Sequence, residues 1–243
     1  MSRLPAAKRR EQLLDVAAEL FAEHGYARAT TAELAKAAGV TEPIIYRHFQ
    51  SKKDLFIALI ERTGAQTLEQ WAQDLKNAAD PADRLRRIIG DNPMVSARGR
   101  AAYRVLLQSI TEVDDAQIRA AVVNHIKSVH AFLKVEVERA QEGHRVTGRF
   151  SSEILAWMLI HVGMGYGVVT ALGVERHGFD ESGTHVQEII TRILVGRAES
   201  RTDGKPDAKS DAKPDAKGTG SSTDAPKSDW ARPMERRGLP PEA

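Results

Sequence analysis

Thr30-Thr31-Ala32-Glu33-Leu34-Ala35-Lys36-Ala37-Ala38-Gly39-Val40-Thr41-Glu42-Pro43-Ile44-Ile45-Tyr46-Arg47-His48-Phe49 holds two helix starts and one helix stop within twenty residues. Thr30 and Thr31 can each cap a helix whose first turn carries Glu33 and Leu34, and that helix should end at Gly39. Thr41, then Glu42 and Pro43, supplies an N-cap, an acidic first turn and a proline early in the helix, so a third helix starts there and reaches about Phe49. At most three residues separate the two helices. Upstream, Leu13, Leu14, Ala17, Leu20 and Phe21 form one apolar stripe, so a first helix runs from about Ala7 to His24 and stops at Gly25. Downstream, Ser51 caps a longer fourth helix that opens Lys52, Lys53, Asp54 and presents Leu55, Phe56, Leu59 and Ile60 to the same core.

Two short helices joined by a glycine-containing turn and packed on an earlier helix describe a helix-turn-helix, whose second helix enters the DNA major groove by its N-terminal part. Gly25-Tyr26, Thr30-Thr31, Leu34-Ala35, Ala38-Gly39-Val40-Thr41, Ile45-Tyr46-Arg47-His48-Phe49 and Ser51-Lys52-Lys53-Asp54-Leu55 closely resemble the DNA-binding domain of TetR-family transcriptional regulators. The resemblance spans about Lys8 to Gln66. Ala35 and Ala38 are small where the two helices cross, Gly39 allows a left-handed turn, and Val40 plugs the corner.

Thr31 can offer its hydroxyl to a phosphate, and the resemblance implies phosphate contacts from Tyr46, His48 and Lys52, which position the protein without reading sequence. Base reading falls to Thr41, Glu42, Pro43 and Ile44, with Arg47 as a long reach. Glu can accept from cytosine N4, and Pro and Ile can touch a thymine methyl. Glu42 equally suits a partner for the helix dipole. Ala32 stands where some relatives carry a base-reading arginine, which counts against direct readout by the second helix. Phe49 goes to the core with Ile45, while Tyr46 and His48 face out. Lys8, Arg9 and Arg10 can touch the flanking backbone or minor groove.

The rest of the 243 residues fits an all-α chain, since no stretch alternates with the two-residue period of a half-buried strand. Helices are expected near Ala82–Ile89, Ala97–Ile110, Asp115–Glu142, Ser152–Leu172 and Gly183–Gly196. The chain divides into a helix-turn-helix domain over 1–66, with the motif at about 30–49, a helical domain over 67–197, and a tail over 198–243. The tail repeats Asp-Ala-Lys at 207, 211 and 215 among Pro, Gly and Ser, the composition of a disordered linker, and its Trp230, Arg232, Arg236 and Arg237 could form a short partner motif. Its lysines and aspartates nearly cancel, which argues against nucleic-acid binding by the tail.

By resemblance, residues 67–197 bind a small molecule and dimerise through the last two helices. Tyr103, Leu107, Phe132, Trp157, His161 and Tyr166 are candidates for a mostly apolar pocket. Ile154 to Val174 has no Asp, Glu, Lys or Arg and is long enough to span a bilayer, but His161 and four glycines interrupt it and no basic asymmetry orients it. A helix meeting both its own domain and a second subunit fits better, with Gly163 and Gly167 allowing close approach and Val186, Ile189, Ile190, Ile193 and Leu194 lining the last helix.

Composition narrows the functional classes. At 42% apolar and 28% charged the chain is that of a soluble protein, and a net charge of +2 requires any basic surface to be local. There is no cysteine, hence no disulfide, thiol nucleophile or Cys-bound zinc, and the polar, basic first ten residues lack the apolar run of a secretory signal, so a cytoplasmic protein is expected. His125 and His130 are five apart and fall on different helix faces, without a third ligand or a nucleophile paired with a base, so no metal site, cofactor or enzymatic activity is expected. The expected function is a dimeric regulator, a repressor released from palindromic double-stranded DNA by a small-molecule effector. An effector-independent DNA-binding dimer or an activator remain the alternatives.

Overall fold

The computed structural model describes residues 4–91, 93 and 100–195, which carry nine α-helices. The tail over 198–243, the expected helix start at 97–99 and the expected helix end at 196 lie outside them. In order the helices are α1 (Ala6–His24), α2 (Thr31–Ala37), α3 (Glu42–Tyr46), α4 (Lys52–Asp74), α5 (Pro81–Gly90), α6 (Arg100–Ser109), α7 (Ala116–Glu142), α8 (Ser152–Ala171) and α9 (Val186–Val195).

Local chemistry accounts for most of these ends. Thr30 and Glu33 close a reciprocal capping box on α2, Ser51 accepts from the Asp54 amide at the head of α4, and Asp80, Asp115 and Ser151 cap α5, α7 and α8 in the same way. At the end of α2 the Val40 amide reaches back to the Ala35 carbonyl at 2.9 Å and the Gly39 amide to Lys36 at 3.2 Å. This six-to-one closure needs a left-handed residue, and Gly39 sits at φ +64°. The end of α7 repeats the geometry with Arg145 bonded to Ala140, but its left-handed position is His144 at φ +54°.

Three helices differ from expectation. α9 starts at Val186 rather than near Gly183, which is left-handed at φ +84° and so lies in the turn before the helix. α3 stops at Tyr46 rather than about Phe49, because the His48 amide bonds to Ile45 three residues back. That tightened turn carries Phe49, 1% exposed, into the core. α4 runs unbroken through Gln66 to Asp74, so a boundary at 66/67 falls inside one rod.

The core is continuous across that boundary. Leu13, Leu14, Phe21, Leu34, Ile45, Phe49, Leu55, Phe56 and Leu59 pack with Tyr103, Val105 and Leu106 of α6 and with Ile118 and Ala121 of α7. A second cluster joins Trp71 of α4, Leu85 and Ile88 of α5, Val129, Leu133 and Val137 of α7, and Leu155, Ala156 and Ile160 of α8. On α7 the inner stripe is Ile118, Ala121, His125, Val129, Leu133, Val137 and Ala140, a spacing of three or four throughout. Beneath it Glu136, 2% exposed, is held by two guanidinium groups, with Arg84 Nη2 at 2.8 Å and Arg139 Nη1 at 2.6 Å from Oε1. α8 is apolar all round and long enough to cross a membrane by length and composition, yet only 22% of its most apolar window is buried within the chain. Ile154, Val168 and Leu172 on or just after α8, and Ile189 and Ile193 on α9, stay exposed.

Candidate nucleic-acid interface and effector cavity

α2 and α3 are tied together by polar side chains as well as by their core. Thr31, first residue of α2, donates its hydroxyl to Oε2 of Glu42 at 2.7 Å and lies 3.2 Å from the Tyr46 hydroxyl. Thr30, not Thr31, provides the cap, and its amide and hydroxyl hold the Glu33 carboxyl below the usual carboxylate range. Thr41, Pro43, Tyr46 and Arg47 are exposed, Glu42, Ile44 and His48 partly so. Thr41 occupies the N-cap of α3 without closing it by its side chain. Thr41, Glu42, Pro43 and Ile44 therefore project together from the first turn of α3, with Arg47 at its end, and the Thr31–Glu42 bond fixes that turn on α2.

Lys52 is turned inward, contrary to the sequence reading. Its ammonium donates to the carbonyls of Tyr26 at 2.9 Å, Ala29 at 3.1 Å and Ala27 at 3.3 Å, and lies 4.5 Å from the centre of the Tyr26 ring. The loop after α1 leaves three carbonyls without helical partners, and a lysine at the head of α4 satisfies them. Tyr26 stacks on Phe56 at 4.3 Å, so the clamp fixes α1, the loop and α4 at one point. The basic arm is also engaged in part. The Arg9 guanidinium donates to Gln12, and that of Arg10 lies over the Phe49 ring at 4.9 Å.

Further along the chain, residues of α4 to α9 line a half-open cavity of about 110 Å³. Trp71, Ile88, Leu106, Val129, Leu133 and Ile160 make much of its apolar wall, and Asp91, Tyr103, His125, Tyr166 and Gln187 bring polar atoms to it. Burial pushes the Tyr103 phenol up to about 12, and its hydroxyl is hydrogen-bonded to Thr67. Burial also pushes the His125 imidazole down. His125 Nδ1 is enclosed without a hydrogen-bond partner, against α4 at Gly64, where a Cβ would fall 2.5 Å from that nitrogen. Tyr166 has its hydroxyl 3.1 Å from Nε2 of His185, just before α9.

Of the six residues expected at the pocket, Tyr103 and Tyr166 line it and four do not. Leu107 packs on the α1–α4 core. Phe132 lies behind the wall against Trp71, ring centres 5.7 Å apart. Trp157 is stacked on His130 at 4.4 Å, and the exposed His161 lies beyond it at 6.0 Å. Trp71, Asp91 and His125 were missed. For His125 the signal was present, since it occupies a core position of the α7 stripe, where an imidazole needs a reason. No cluster of three or more His, Cys, Asp or Glu side chains able to hold a metal occurs among the described residues.

Comparison with known proteins places this geometry. Residues 13–59 match the model of the bacterial regulatory proteins, tetR family. Over 121 residues the chain is 39% identical to the HTH-type transcriptional activator FasR of Mycolicibacterium smegmatis, covering 50% of this chain and 55% of that protein. It thus spans about half the length of that curated relative. Among solved structures, a candidate transcriptional regulator from Saccharomonospora viridis in complex with choline superposes with a TM-score of 0.69 at 23% identity, over 79% of this chain and 100% of that one. The transcriptional regulator FadR of Bacillus subtilis in complex with stearoyl-CoA gives 0.62 at 18% identity, over 77% and 98%. These two likenesses establish a shared fold.

Proposed function

Since the chain belongs, by its N-terminal domain, to the TetR family of bacterial regulatory proteins, we propose that it is a dimeric transcriptional regulator that binds a palindromic DNA site and responds to a small molecule. The observation that carries this reading is the exposed first turn of α3. Thr41 and Pro43 stand exposed there, with Glu42 and Ile44 partly so, on a helix locked to α2 through Thr31 and Glu42. A rigid helix presenting short polar and apolar groups at its N-terminal end is what a major groove admits, and a threonine hydroxyl or a proline or isoleucine methylene can read base edges there. Tyr46, Arg47 and His48 at the other end of α3 are suited to the phosphates on either side, with Thr31 beside them.

Dimerisation is supported by the uncovered apolar surface of α8 and α9. Ile154, Val168, Leu172, Ile189 and Ile193 are between 39% and 74% exposed in the single chain, and a second copy related by a two-fold axis would bury the same residues on both sides. A four-helix seam of this kind, rather than a bilayer, is the proposed cover of α8, in keeping with a cytoplasmic protein. It would set two copies of α3 about 34 Å apart, one turn of duplex. The cavity beside α4 is the proposed effector site, because a change in its walls is felt by the helix whose head carries the Lys52 clamp. Release of DNA on effector binding is the proposed response. The relative FasR is named an activator, so the same docking can serve either sign of control.

Selection from a random DNA pool with the full chain tests the reading. It should recover one inverted repeat whose half-sites lie 10 to 10.5 base pairs apart, centre to centre, or a small multiple of that. Recovery of no motif, or of a single unrepeated half-site, would overturn it.

A further inference from the structure

We propose that the effector is a small uncharged ring compound with one hydroxyl or carbonyl group, seated in the α4–α9 cavity with that group on the imidazole of His125. The inference deepens the reading of the chain as an effector-controlled DNA-binding protein and rests on it. Size comes first. A dry protein cavity of roughly 150 Å³ lined by aliphatic and aromatic side chains holds one benzene. At about 110 Å³ this half-open cavity is of that class and suits one substituted ring.

Charge comes second. The described wall contains no lysine or arginine, so the described residues offer an anion no cation, and Asp91 is the single carboxylate among them. Transfer of an ion from water into such a site is strongly unfavourable without a paired charge. The wall's own titratable groups follow the same rule: burial keeps Tyr103 protonated and His125 neutral at physiological pH.

Polarity comes third. Buried polar groups in folded proteins are nearly always hydrogen-bonded, and an exception requires an explanation. Tyr103 is satisfied by Thr67, and Tyr166 by His185. His125, 6% exposed, is not: Nδ1 has no partner, although its ring lies on the cavity wall. Gly64 gives the ring its room against α4, and a half-turn about χ2 exchanges nitrogen and carbon positions at nearly constant shape. A neutral imidazole donates at one nitrogen and accepts at the other, so it suits a hydroxyl or a carbonyl equally. One such bond, added to an otherwise apolar contact, is what a ring compound with a single polar group supplies.

The test uses the full chain and the DNA motif recovered by selection. Calorimetric titrations with p-cresol, toluene, benzoate, benzyltrimethylammonium and stearoyl-CoA are run beside anisotropy measurements of DNA release. Saturable binding of p-cresol, about tenfold tighter than toluene, is expected, with benzoate, benzyltrimethylammonium and stearoyl-CoA each weaker than p-cresol. His125→Leu should bind p-cresol no better than toluene while its DNA affinity without any probe is unchanged. His125→Gln, which keeps a hydrogen-bonding side chain, should retain part of the preference. Tighter binding of the carboxylate, the ammonium or the acyl-CoA, no binding of p-cresol, or an undiminished preference in both variants would overturn the proposal. Binding of p-cresol that depends on His125 but leaves a specific DNA complex intact would uphold the ligand assignment and overturn effector control.

Discussion

Replacing Lys52 by Met should unfold the N-terminal domain more readily without removing a DNA contact. Methionine keeps most of the unbranched stem and deletes the ammonium, so the variant isolates three hydrogen bonds to main-chain carbonyls and one contact with the Tyr26 ring. A net hydrogen bond to a charged group is worth about 1.5–3 kcal/mol. The three here share one ammonium and sit at a partly exposed loop, where water can replace them, so together they count as one strong bond rather than three. The ring contact adds roughly 0.5–1 kcal/mol, for a total of about 2–3 kcal/mol. With a urea slope of about 2 kcal/mol/M, the unfolding midpoint should fall by about 1 M at an unchanged slope. A phosphate contact predicts something different, namely a flattening of the dependence of log affinity on log salt by about 0.9 for each phosphate lost. The clamp predicts an unchanged salt slope for the folded variant. An unchanged urea midpoint together with a salt slope lowered by about one would refute the inward placement of Lys52.

Four further outcomes follow from the packing. Glu136→Ala should lower the melting temperature by about 5 °C, since it removes the charged hydrogen-bond partner of Arg84 and leaves the half-exposed Arg139 to water, a loss of about 1.5–2 kcal/mol; a change under 2 °C would count against a buried Glu136 carboxylate. Gly39→Ala should cost about 1–2 kcal/mol in urea unfolding, because φ +64° is strained for any residue with a Cβ, whereas His144→Gly at the matching position of α7 should gain stability. The reverse order would contradict the left-handed closures. For His125, burial lowers the folded-state pKa, so the unfolded chain binds the extra proton first; its contribution is complete above about pH 6.5 and is lost as pH falls below that value. Wild type should therefore lose more stability than His125→Leu between pH 7 and pH 5.5, and parallel pH profiles would show that His125 is not buried as described.

What could be read from the sequence divides by the range of the interactions. The α2 and α3 starts are set by residues at most three positions away, so Thr30, Glu33, Gly39, Thr41 and Pro43 gave their places directly. Lys52 could not be placed in this way, because its partners lie 23 to 26 residues upstream and exist only once α1 and α4 have packed. The pocket shows the same limit on α8. Trp157, His161 and Tyr166 belong to a helix apolar on every side, so no stripe tells which of them reaches the cavity, and of the three only Tyr166 lines it. On α7 a stripe does exist, and reading it through His125 as a core position would have found the cavity wall. The continuity of α4 past Gln66 was hidden because Gly64, a residue type that often marks a helix stop, stands two positions before it, whereas the helix runs straight through that glycine.

The central claim is sequence-specific DNA docking by two copies of α3, and titration of the full chain against the selected repeat and a scrambled duplex at physiological salt tests it most directly. Specific binding should exceed non-specific binding by roughly 10³-fold or more, with an even number of chains on each duplex. Equal affinity for the two duplexes, or one chain bound per repeat, would contradict it.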